Sequence, residues 1–531
     1  MRRIAAAAAI IFLGNVASRI LGLTREMVFA ALFGTSGAMS AYRTAARVQI
    51  MVYDLLVSGA ISAALVPVFS QYAEESRAAL GQVVSVVLSL LALVLGVVVL
   101  VLIVAAPALV GLLGADAQYF DLTVTLTRWA LLSVVLLGIA GVLTAALHAR
   151  RDFKWAALAT AAYNVGIIGA ALVLTPLWGV EPDGSRPDAS VVALALGLVV
   201  GAALQVLVQV PGLRDLPWRL AVQWRHPGVR TAVRLYTPVA LGFAVTYLGV
   251  FVDTRLAWRT GEESLAILQA ATTLIQFPLG LVSSAVALAA LPTLARAAHS
   301  GATDQYLATL RFATRLVLLL ILPATVGLIA LREPVVAWLF QRGAFTAAAT
   351  EATARAFLFY APQLPLVALD QLFIAAYYAR QNTRTPMLVG VGTVLLYLVT
   401  APALCTCVDL PALGRADIYL GRDGLALANA LQNGMHGVLM YLLLRQRFPA
   451  LAEGLGGYLA RVGSAAVAMG ALLVAVEPAL GTWARGAPGP SVVAGGLLGL
   501  ACYALLLLLL RVQEAAQLVA LARARLRLRP G

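Results

Sequence analysis

Residues 83–104 read VVSVVLSLLALVLGVVVLVLIV, a run of 22 residues without one ionisable side chain. A helix needs about 20 apolar residues to cross roughly 30 Å of hydrocarbon, and lipid offers no hydrogen-bond partner to an open backbone. The run is continuous rather than alternating, so it predicts a helix and not a barrel strand. We therefore expect a membrane-spanning helix in this part of the chain.

Similar runs recur throughout the 531 residues, of which 61% are hydrophobic and 12% charged. They predict an all-α polytopic membrane protein with about fourteen spans. Among the predicted spans are span 1 (4–33), span 2 (38–72), span 7 (228–258) and span 8 (264–298). The Met1-Arg2-Arg3 start imitates a signal peptide, but the apolar run continues past Ser18, so we interpret it as span 1.

The net charge of +14 does not indicate a nucleic-acid partner, because the basic residues separate the apolar runs instead of alternating with aromatic ones. Basic residues gather in alternate loops, which places those loops in the cytoplasm. This pattern predicts an inner-membrane protein with both termini cytoplasmic. Cys405 and Cys407 have no second pair or nearby His to complete a metal site, so we expect no bound metal or other cofactor.

The chain also repeats itself at a spacing of about 225–230 residues, which gives two halves of six spans each. The matched pairs are Thr24-Arg25 with Thr254-Arg255, Ala63–Pro67 with Ala289–Pro292, Ala149-Arg150 with Ala379-Arg380, and Ala203–Gln205 with Ala430–Gln432. We predict lobes at 1–213 and 214–447, followed by two further helices and a basic tail at 448–531. An even repeat predicts a pseudo-two-fold axis along the membrane normal, with a cavity between the two bundles.

Ionisable residues inside spans are costly, so they line cavities or have partners. Eleven occur here: Arg19, Arg25, Glu26, Arg43, Arg47, Asp54, Arg128, Asp253, Arg255, Arg355 and Asp370. At about 100° per residue, Arg43, Arg47 and Asp54 share one face of span 2. Arg19 and Glu26 share a face of span 1, whereas Arg25 points away from Glu26. These two polar helix faces either line a water-filled cavity or have charges that pair with each other, Arg47 with Asp54 and Arg19 with Glu26.

Arginine presents a planar fork of donors that suits phosphate oxygens, so an Arg-rich cavity predicts a pyrophosphate clamp. Asp253 has no basic residue three or four positions away. We interpret it as an unpaired carboxylate that binds a cation or a proton, or as a hydrogen-bond partner of a neighbouring span. The bland interpretation of His436 is core packing, and Arg255 and Arg355 have the alternative of extending to the membrane surface.

Several stretches together resemble the MurJ/MviN family of lipid II flippases. They are ASRILGLTREMVFAALFG and SGAISAALVPVFSQY within Ala17–Tyr72, VDTRLA (Val252–Ala257), QFPLGLVSSAVALAALPTLAR (Gln276–Arg296), LFQRGAFT (Leu339–Thr346) and YYARQNTRTP (Tyr377–Pro386). The resemblance implies the multidrug/oligosaccharidyl-lipid/polysaccharide exporter fold with a cationic cavity. It also implies flipping of an undecaprenyl-pyrophosphate-linked peptidoglycan precursor to the outer leaflet.

The resemblance implies that Arg19, Arg25 and Arg47 are cavity arginines and that Asp253 serves ion coupling. The chain departs from the family at Ser40, Tyr53 and Ser58, and in span 8 at Thr272-Thr273 and Gln276, where charged residues are usual. We expect Arg43 to supply part of the lost positive charge. The predicted substrate-binding set is Arg19, Arg25, Arg43, Arg47, Ser40, Thr273 and Gln276.

The expected partners are a lipid-linked anionic glycan precursor and membrane lipids, with cell-wall synthesis proteins as further candidates, and the expected state is a monomer. A coupling cation, a proton or the membrane potential would drive transport. The alternatives are a flippase for another lipid-linked oligosaccharide and a non-transporting scaffold descended from a flippase. A drug antiporter fits less well, because its substrates are cations. A prenyl-diphosphate transferase would need clustered acids for Mg²⁺, which this sequence lacks.

Overall fold

The computed structural model describes residues 2–58, 64–178, 188–219, 221–405, 408–410, 415–418 and 420–514. Nearly all of them belong to helices, as a series of apolar spans predicts. Two short antiparallel strands, β1 (Val408–Leu410) and β2 (Arg415–Ile418), depart from the expected all-α pattern. Cys407 and the basic tail at 515–531 lie outside the described residues.

The chain forms two compact units. The first contains residues 1–266 and 343–345, and the second contains 267–342 and 346–531. The predicted lobe boundary at 213/214 follows the sequence repeat instead, and that division stays a prediction.

The helices of the first unit follow one another with short connections. They are α1 (Arg2–Phe33), α2 (Gly37–Tyr53), α3 (Val66–Glu75), α4 (Arg77–Leu113), α5 (Phe120–Ala149), α6 (Phe153–Leu174), α7 (Val192–Gln209) and α8 (Pro227–Arg259).

The helices of the second unit begin with α9, whose first residues still belong to the first unit. They are α9 (Ser264–Pro278), α10 (Ser284–His299), α11 (Thr303–Ala330), α12 (Arg332–Phe340), α13 (Ala347–Tyr360), α14 (Gln363–Ala379), α15 (Arg384–Cys405), α16 (Gly421–Arg447), α17 (Leu455–Trp483) and α18 (Pro488–Leu509).

Side-chain caps mark where several helices begin. The Ser36 hydroxyl accepts from the Met39 amide at 3.2 Å before α2, and the Ser76 hydroxyl accepts from the Ala79 amide at 3.0 Å before α4. Each bond satisfies an amide that the first turn of a helix leaves without a partner. At its other end α4 stops at Gly114, whose φ of 72° is the left-handed conformation that glycine adopts readily.

Nine helical segments among the described residues are long and apolar enough to cross a membrane. They are α4, α5, α6, α7, α9 with α10, α11, α15, α17 and α18. The bent pair α13 and α14, with 51° between its halves, is a tenth. The polytopic helical class is therefore confirmed. The other predicted spans fall on α1, on α2 with α3, on α8 and on α16, and these are the helices that carry most of the intramembrane charges.

The sequence repeat has a counterpart in local structure. A π-helical segment at Asp54–Ser58 follows α2, and another at Leu279–Ser283 follows α9. The turns after α5 and α14 also match, because Arg151 and Gln381 both adopt left-handed backbone angles, with φ of 60° and 57°. The halves thus share their irregularities as well as their helices.

Helices α6 and α7 approach each other closely through glycine. A Cβ atom placed on Gly166 would lie 2.7 Å from the Gly201 Cα and 3.0 Å from its amide nitrogen. Small residues at such crossings are typical of membrane helix packing, because they let two backbones meet. A side chain at this position would force the helices apart, since the opposing atoms are backbone.

We expect Gly166→Val to destabilise the first unit by about 1 to 3 kcal/mol through overpacking. Gly169→Val is the matched control, because a Cβ on Gly169 of the same helix meets nothing within 4 Å. Thermal unfolding of the purified protein in detergent would measure both. Equal melting temperatures for the two variants would contradict this packing argument.

Candidate functional site

Glu26 on α1 is the centre of a buried charge cluster in the first unit. Its Oε1 accepts from Arg25 Nη2 at 2.9 Å, and its Oε2 accepts from Arg43 Nη2 at 2.5 Å. The Glu26 side chain is only 6% exposed. The expectation that Arg25 points away from Glu26 is wrong, because the long arginine side chain bends back to its neighbour.

Arg43 on α2 is the most deeply placed cation of this cluster, with 11% of its side chain exposed. Its guanidinium carbon lies 5.5 Å from the centroid of the Phe29 ring and 5.7 Å from that of Tyr42. Such cation–π contacts stabilise a guanidinium in an apolar setting. Among the described residues its buried Nε has no hydrogen-bond acceptor. This donor is enclosed by the protein as well as unpaired.

Arg47 on α2 pairs with Asp253 on α8. Arg47 Nη1 lies 2.6 Å from Asp253 Oδ2 and donates also to the Thr254 hydroxyl at 3.0 Å. The interpretation of Asp253 as an unpaired carboxylate is therefore wrong. The alternative pairing of Arg47 with Asp54 is wrong too, because Asp54 Oδ2 accepts from the Tyr247 hydroxyl at 2.6 Å.

The cluster as a whole keeps an excess of positive charge. Three guanidinium groups, those of Arg25, Arg43 and Arg47, meet the two carboxylates of Glu26 and Asp253. The side chains of Arg25 and Arg47 remain 27% and 23% exposed, so both can be reached by a polar ligand. A phosphate would meet forked donors that neighbouring groups already hold in place.

The other predicted substrate-binding residues have different surroundings. Arg19 is on an exposed face of α1. Ser40 is completely buried and accepts from the Ala266 amide at 3.4 Å. In the second unit the Thr273 hydroxyl donates to the Gln269 carbonyl at 2.9 Å, whereas Gln276 is exposed. Substrate contact by these four residues stays a prediction, and the side chain of Ser58 lies outside the described part of the chain.

The remaining intramembrane charges also have partners. His436 Nδ1 on α16 lies 2.8 Å from Asp370 Oδ1 on α14, so this histidine has a polar partner and is not only a packing residue. Arg355 pairs with Asp423 at 2.7 Å. Arg128 and Arg255 are exposed and donate to backbone carbonyls on α4, at 3.3 Å and 2.8 Å. Groups of three or more His, Cys, Asp or Glu suited to a metal are absent from the described residues.

Sequence reasoning missed three polar residues: Asn164 and Thr254, which contact arginines of the cluster, and Tyr247, which binds Asp54 outside it. Asn164 on α6 accepts from Arg25 Nη1 at 3.3 Å, Tyr247 binds Asp54, and Thr254 binds Arg47. Asn164 is the single amide side chain of α6, which was a usable signal, because a polar side chain at membrane depth needs a partner.

Comparison with known proteins identifies the family. The family model for "Lipid II flippase MurJ" matches residues 29–493. The chain belongs to the MurJ family. The matched range includes Arg43, Arg47 and Asp253, and it extends through α17 into the start of α18.

Individual family members and solved structures agree with this assignment. A Burkholderia cenocepacia protein described as lipid II flippase MurJ is 29% identical over 444 residues, which are 81% of each chain. The structure of a lipid II flippase MurJ in an inward closed conformation aligns with a TM-score of 0.75 at 21% identity, covering 94% of this chain and 98% of that one. An inward-facing multidrug resistance MATE transporter aligns at 0.67 and 16% identity, covering 82% and 96%. These alignments confirm the fold that the sequence motifs imply, and the chain is a multi-pass protein of the bacterial inner membrane.

We expect Glu26→Ala to lower the free energy of unfolding by about 3 to 5 kcal/mol, because it leaves Arg43 buried without its carboxylate. The double variant Glu26→Ala/Arg43→Ala should recover part of that loss, since it removes the uncompensated charge as well. Equilibrium unfolding in mixed detergent micelles would measure the cycle. Strictly additive losses would show that the two residues do not interact.

Proposed function

We propose that this protein moves lipid II from the cytoplasmic to the outer leaflet by alternating access. One observation carries the proposal: three arginines of a MurJ-family chain gather around two carboxylates in α1, α2 and α8. Pyrophosphate is an anion that matches forked guanidinium donors. The protein acts as a transporter and supplies no catalytic group to its substrate.

The carboxylates hold the arginines in the substrate-free state. Glu26 fixes Arg25 and Arg43, and Asp253 fixes Arg47. The pyrophosphate oxygens compete with these carboxylates for the exposed edges of Arg25 and Arg47. Arriving substrate thus exchanges one anion for another, and the ion pair between α2 and α8 opens when Arg47 turns to phosphate.

Asp253 is the proposed ion-coupling residue. Once Arg47 binds phosphate, Asp253 loses its ion pair with Arg47 and becomes able to take a proton or a cation, which links substrate binding to ion binding. The membrane potential then contributes to the work of moving the charged headgroup, at about 2.3 kcal/mol per elementary charge per 100 mV.

We propose the orientation that the loop charges indicate, with both termini in the cytoplasm. In this orientation the lipid-linked precursor enters from the side on which it is made. We further propose that the protein acts as a monomer, and that cell-wall synthesis proteins receive its product.

A flippase for another lipid-linked oligosaccharide is the second candidate. The neutral residues at Thr272, Thr273 and Gln276 favour it, because MurJ-like members usually carry charges at these places in span 8. A different sugar or peptide headgroup would need different contacts there, while the pyrophosphate contacts would stay the same. A non-transporting scaffold descended from a flippase is the third, and it requires no phosphate contact at all.

Complementation of a strain depleted of its own lipid II flippase tests the proposal. We expect Arg25→Ala, Arg43→Ala and Arg47→Ala each to lower outward lipid II transport at least about tenfold, since a charge-assisted hydrogen bond contributes about 1.5 to 3 kcal/mol. Labelling of outward-facing precursor by a membrane-impermeant reagent measures the rate.

Arg128→Ala is the control, because Arg128 is exposed and donates to the Ile103 carbonyl outside the cluster. Normal transport by Arg43→Ala together with loss in Arg25→Ala would contradict the role given to Arg43. A scaffold would tolerate Arg25→Ala and Arg47→Ala together. Growth rescue with another lipid-linked glycan but not lipid II would favour the second candidate.

A charge swap separates the structural from the transport role of the Arg47–Asp253 pair. We expect Arg47→Asp and Asp253→Arg each to reduce the yield of folded protein. The double swap should restore yield, because the ion pair re-forms, but not transport, because position 47 then carries an anion where the phosphate needs a cation. Full recovery of transport in the swap would mean that the pair only holds α2 against α8.

A further inference from the structure

A basic pocket lies in the second unit, at the ends of α10, α14 and α16, with a volume of about 730 Å³. Its polar lining comes from His299, Tyr377, Arg380, Gln381, Asn382 and Arg447. No aspartate or glutamate belongs to the lining. The pocket is separate from the charge cluster of the first unit, and the role of its residues is not part of the transport proposal.

The sequence repeat supplies a direct comparison for this pocket. Arg380 follows α14 as Arg150 follows α5, and both turns have the same backbone hydrogen bonds. The amides of residues 151 and 152 bond to the carbonyls of 148 and 147, and the amides of 381 and 382 bond to those of 378 and 377. The two turns therefore present their arginines in the same local geometry.

In the first unit this arginine is neutralised. Arg150 Nη1 and Nη2 donate to the two oxygens of Asp215 at 2.6 Å and 2.9 Å, and Nη1 donates also to the Gly212 carbonyl at 3.2 Å. The hydrogen bond from Arg150 lowers the pKa of the Asp215 carboxyl, which favours its ionised form. The fork of Arg150 is occupied by a carboxylate from the segment after α7.

In the second unit the corresponding segment carries bases. Arg445 and Arg447 end α16, where the first unit has Asp215 after α7. Among the described residues, neither Arg380 nor Arg447 has a carboxylate oxygen within the 4.0 Å that defines an ion pair. The pocket thus concentrates positive charge at a turn whose counterpart in the first unit has its arginine paired with a carboxylate.

Two aromatic rings fix the Arg380 guanidinium. Its central carbon lies 5.0 Å from the centroid of the Phe448 ring and 5.5 Å from that of Tyr306. Tyr306 is itself anchored, because its hydroxyl donates to the Ala376 carbonyl at 2.9 Å. Stacking uses the faces of a guanidinium and leaves the N–H donors at its edge for an anion. The geometry suits a phosphate oxygen pair.

The apolar part of the lining comes from Leu291, Ala295, Ala298, Ala379, Leu444 and Phe448. The adjacent Tyr378 is 51% exposed, as aromatic residues at a membrane surface often are. A soluble phosphate would use the arginines only, whereas a lipid would use both kinds of surface. Basic pockets between helix ends on the cytoplasmic side are suited to anionic lipid headgroups.

We propose that the basic pocket binds the phosphate headgroup of an anionic phospholipid from the cytoplasmic leaflet, with Arg380 and Arg447 holding the phosphate. The choice of the cytoplasmic leaflet rests on the orientation proposed above, and the proposal does not depend on which lipid-linked glycan the protein transports. It assigns to the second unit a resident lipid site at the turn where the first unit has an internal ion pair.

Titration of short-chain phosphatidylglycerol into the purified full-length protein tests this proposal. Phosphatidylcholine of equal chain length and inorganic phosphate serve as comparison ligands. Bound lipids are counted by native mass spectrometry, and melting temperature is followed in parallel. We expect saturable binding of phosphatidylglycerol that raises the melting temperature, with at least tenfold weaker binding of the other two ligands.

Arg447→Gln should weaken phosphatidylglycerol binding about tenfold, and Arg380→Gln/Arg447→Gln should abolish it. Arg380→Lys keeps the charge without the fork and should bind with intermediate affinity. Arg150→Gln is the matched control at the equivalent turn and should bind like the unaltered protein. Arg447→Gln preserves the stacking of Arg380 on its rings, so its result stands even if the double variant does not fold.

Two results would overturn the proposal. The first is unchanged phosphatidylglycerol binding in a folded Arg447→Gln or double variant, which would place the lipid elsewhere. The second is inorganic phosphate that binds as tightly as the lipid and displaces it, which would make this a site for soluble anions.

Discussion

A guanidinium group at membrane depth needs an anion beside it, and this constraint explains the charge cluster of the first unit. Glu26 is the residue on which the cluster depends, because one carboxylate with 6% exposure serves both Arg25 and Arg43. The aromatic rings of Phe29 and Tyr42 complete the surroundings of Arg43. Desolvation of such ions is costly, and only close pairing with good geometry offsets it. Helices α1 and α2 are therefore held together by charge as well as by apolar packing.

The two halves show how a repeated backbone accepts different charge arrangements. The turns at Arg151 and Gln381 share a left-handed backbone angle and the same hydrogen bonds, so their shape is set locally. Their arginines differ in what other segments bring near them. Asp215 neutralises Arg150, whereas Arg380 stacks on rings near Arg447. Side-chain replacement outside the turn is enough to change a closed ion pair into an open basic pocket.

The helical class and most spans could be predicted from the sequence, because long apolar runs admit few other structures in lipid. The family also followed from motifs such as TREMVFAALFG, and the relatives confirm it. The charge pairs could not be predicted. Arg47 and Asp253 are 206 residues apart, and a helical wheel gives the face of each residue but not the helix opposite it.

Helical wheels failed in two further ways. They treat a side chain as a direction, whereas the arginine chain of Arg25 is long enough to return to the adjacent Glu26. They also cannot separate a stripe that lines a cavity from one that packs against a neighbour. Ser40 belongs to a polar stripe and is nevertheless fully buried against the Ala266 amide. The π-helical segment at Asp54–Ser58 changes the helical register from that point on, and no residue pattern in the sequence predicted it.

In the substrate-free state the arginines of the cluster are paired with carboxylates, and this pairing affects how fast the proposed transporter releases its substrate. An arginine cluster without counter-ions would bind a pyrophosphate tightly and release it slowly, because the whole electrostatic gain would appear as affinity. When phosphate replaces Asp253 at Arg47, the net binding energy is the difference between the Arg47–phosphate and the Arg47–Asp253 interaction energies. That difference can be small even though each pair is strong. In the proposed cycle the carboxylates therefore have two effects: they stabilise the empty cluster, and by returning to their arginines they help to expel the headgroup on the outer side.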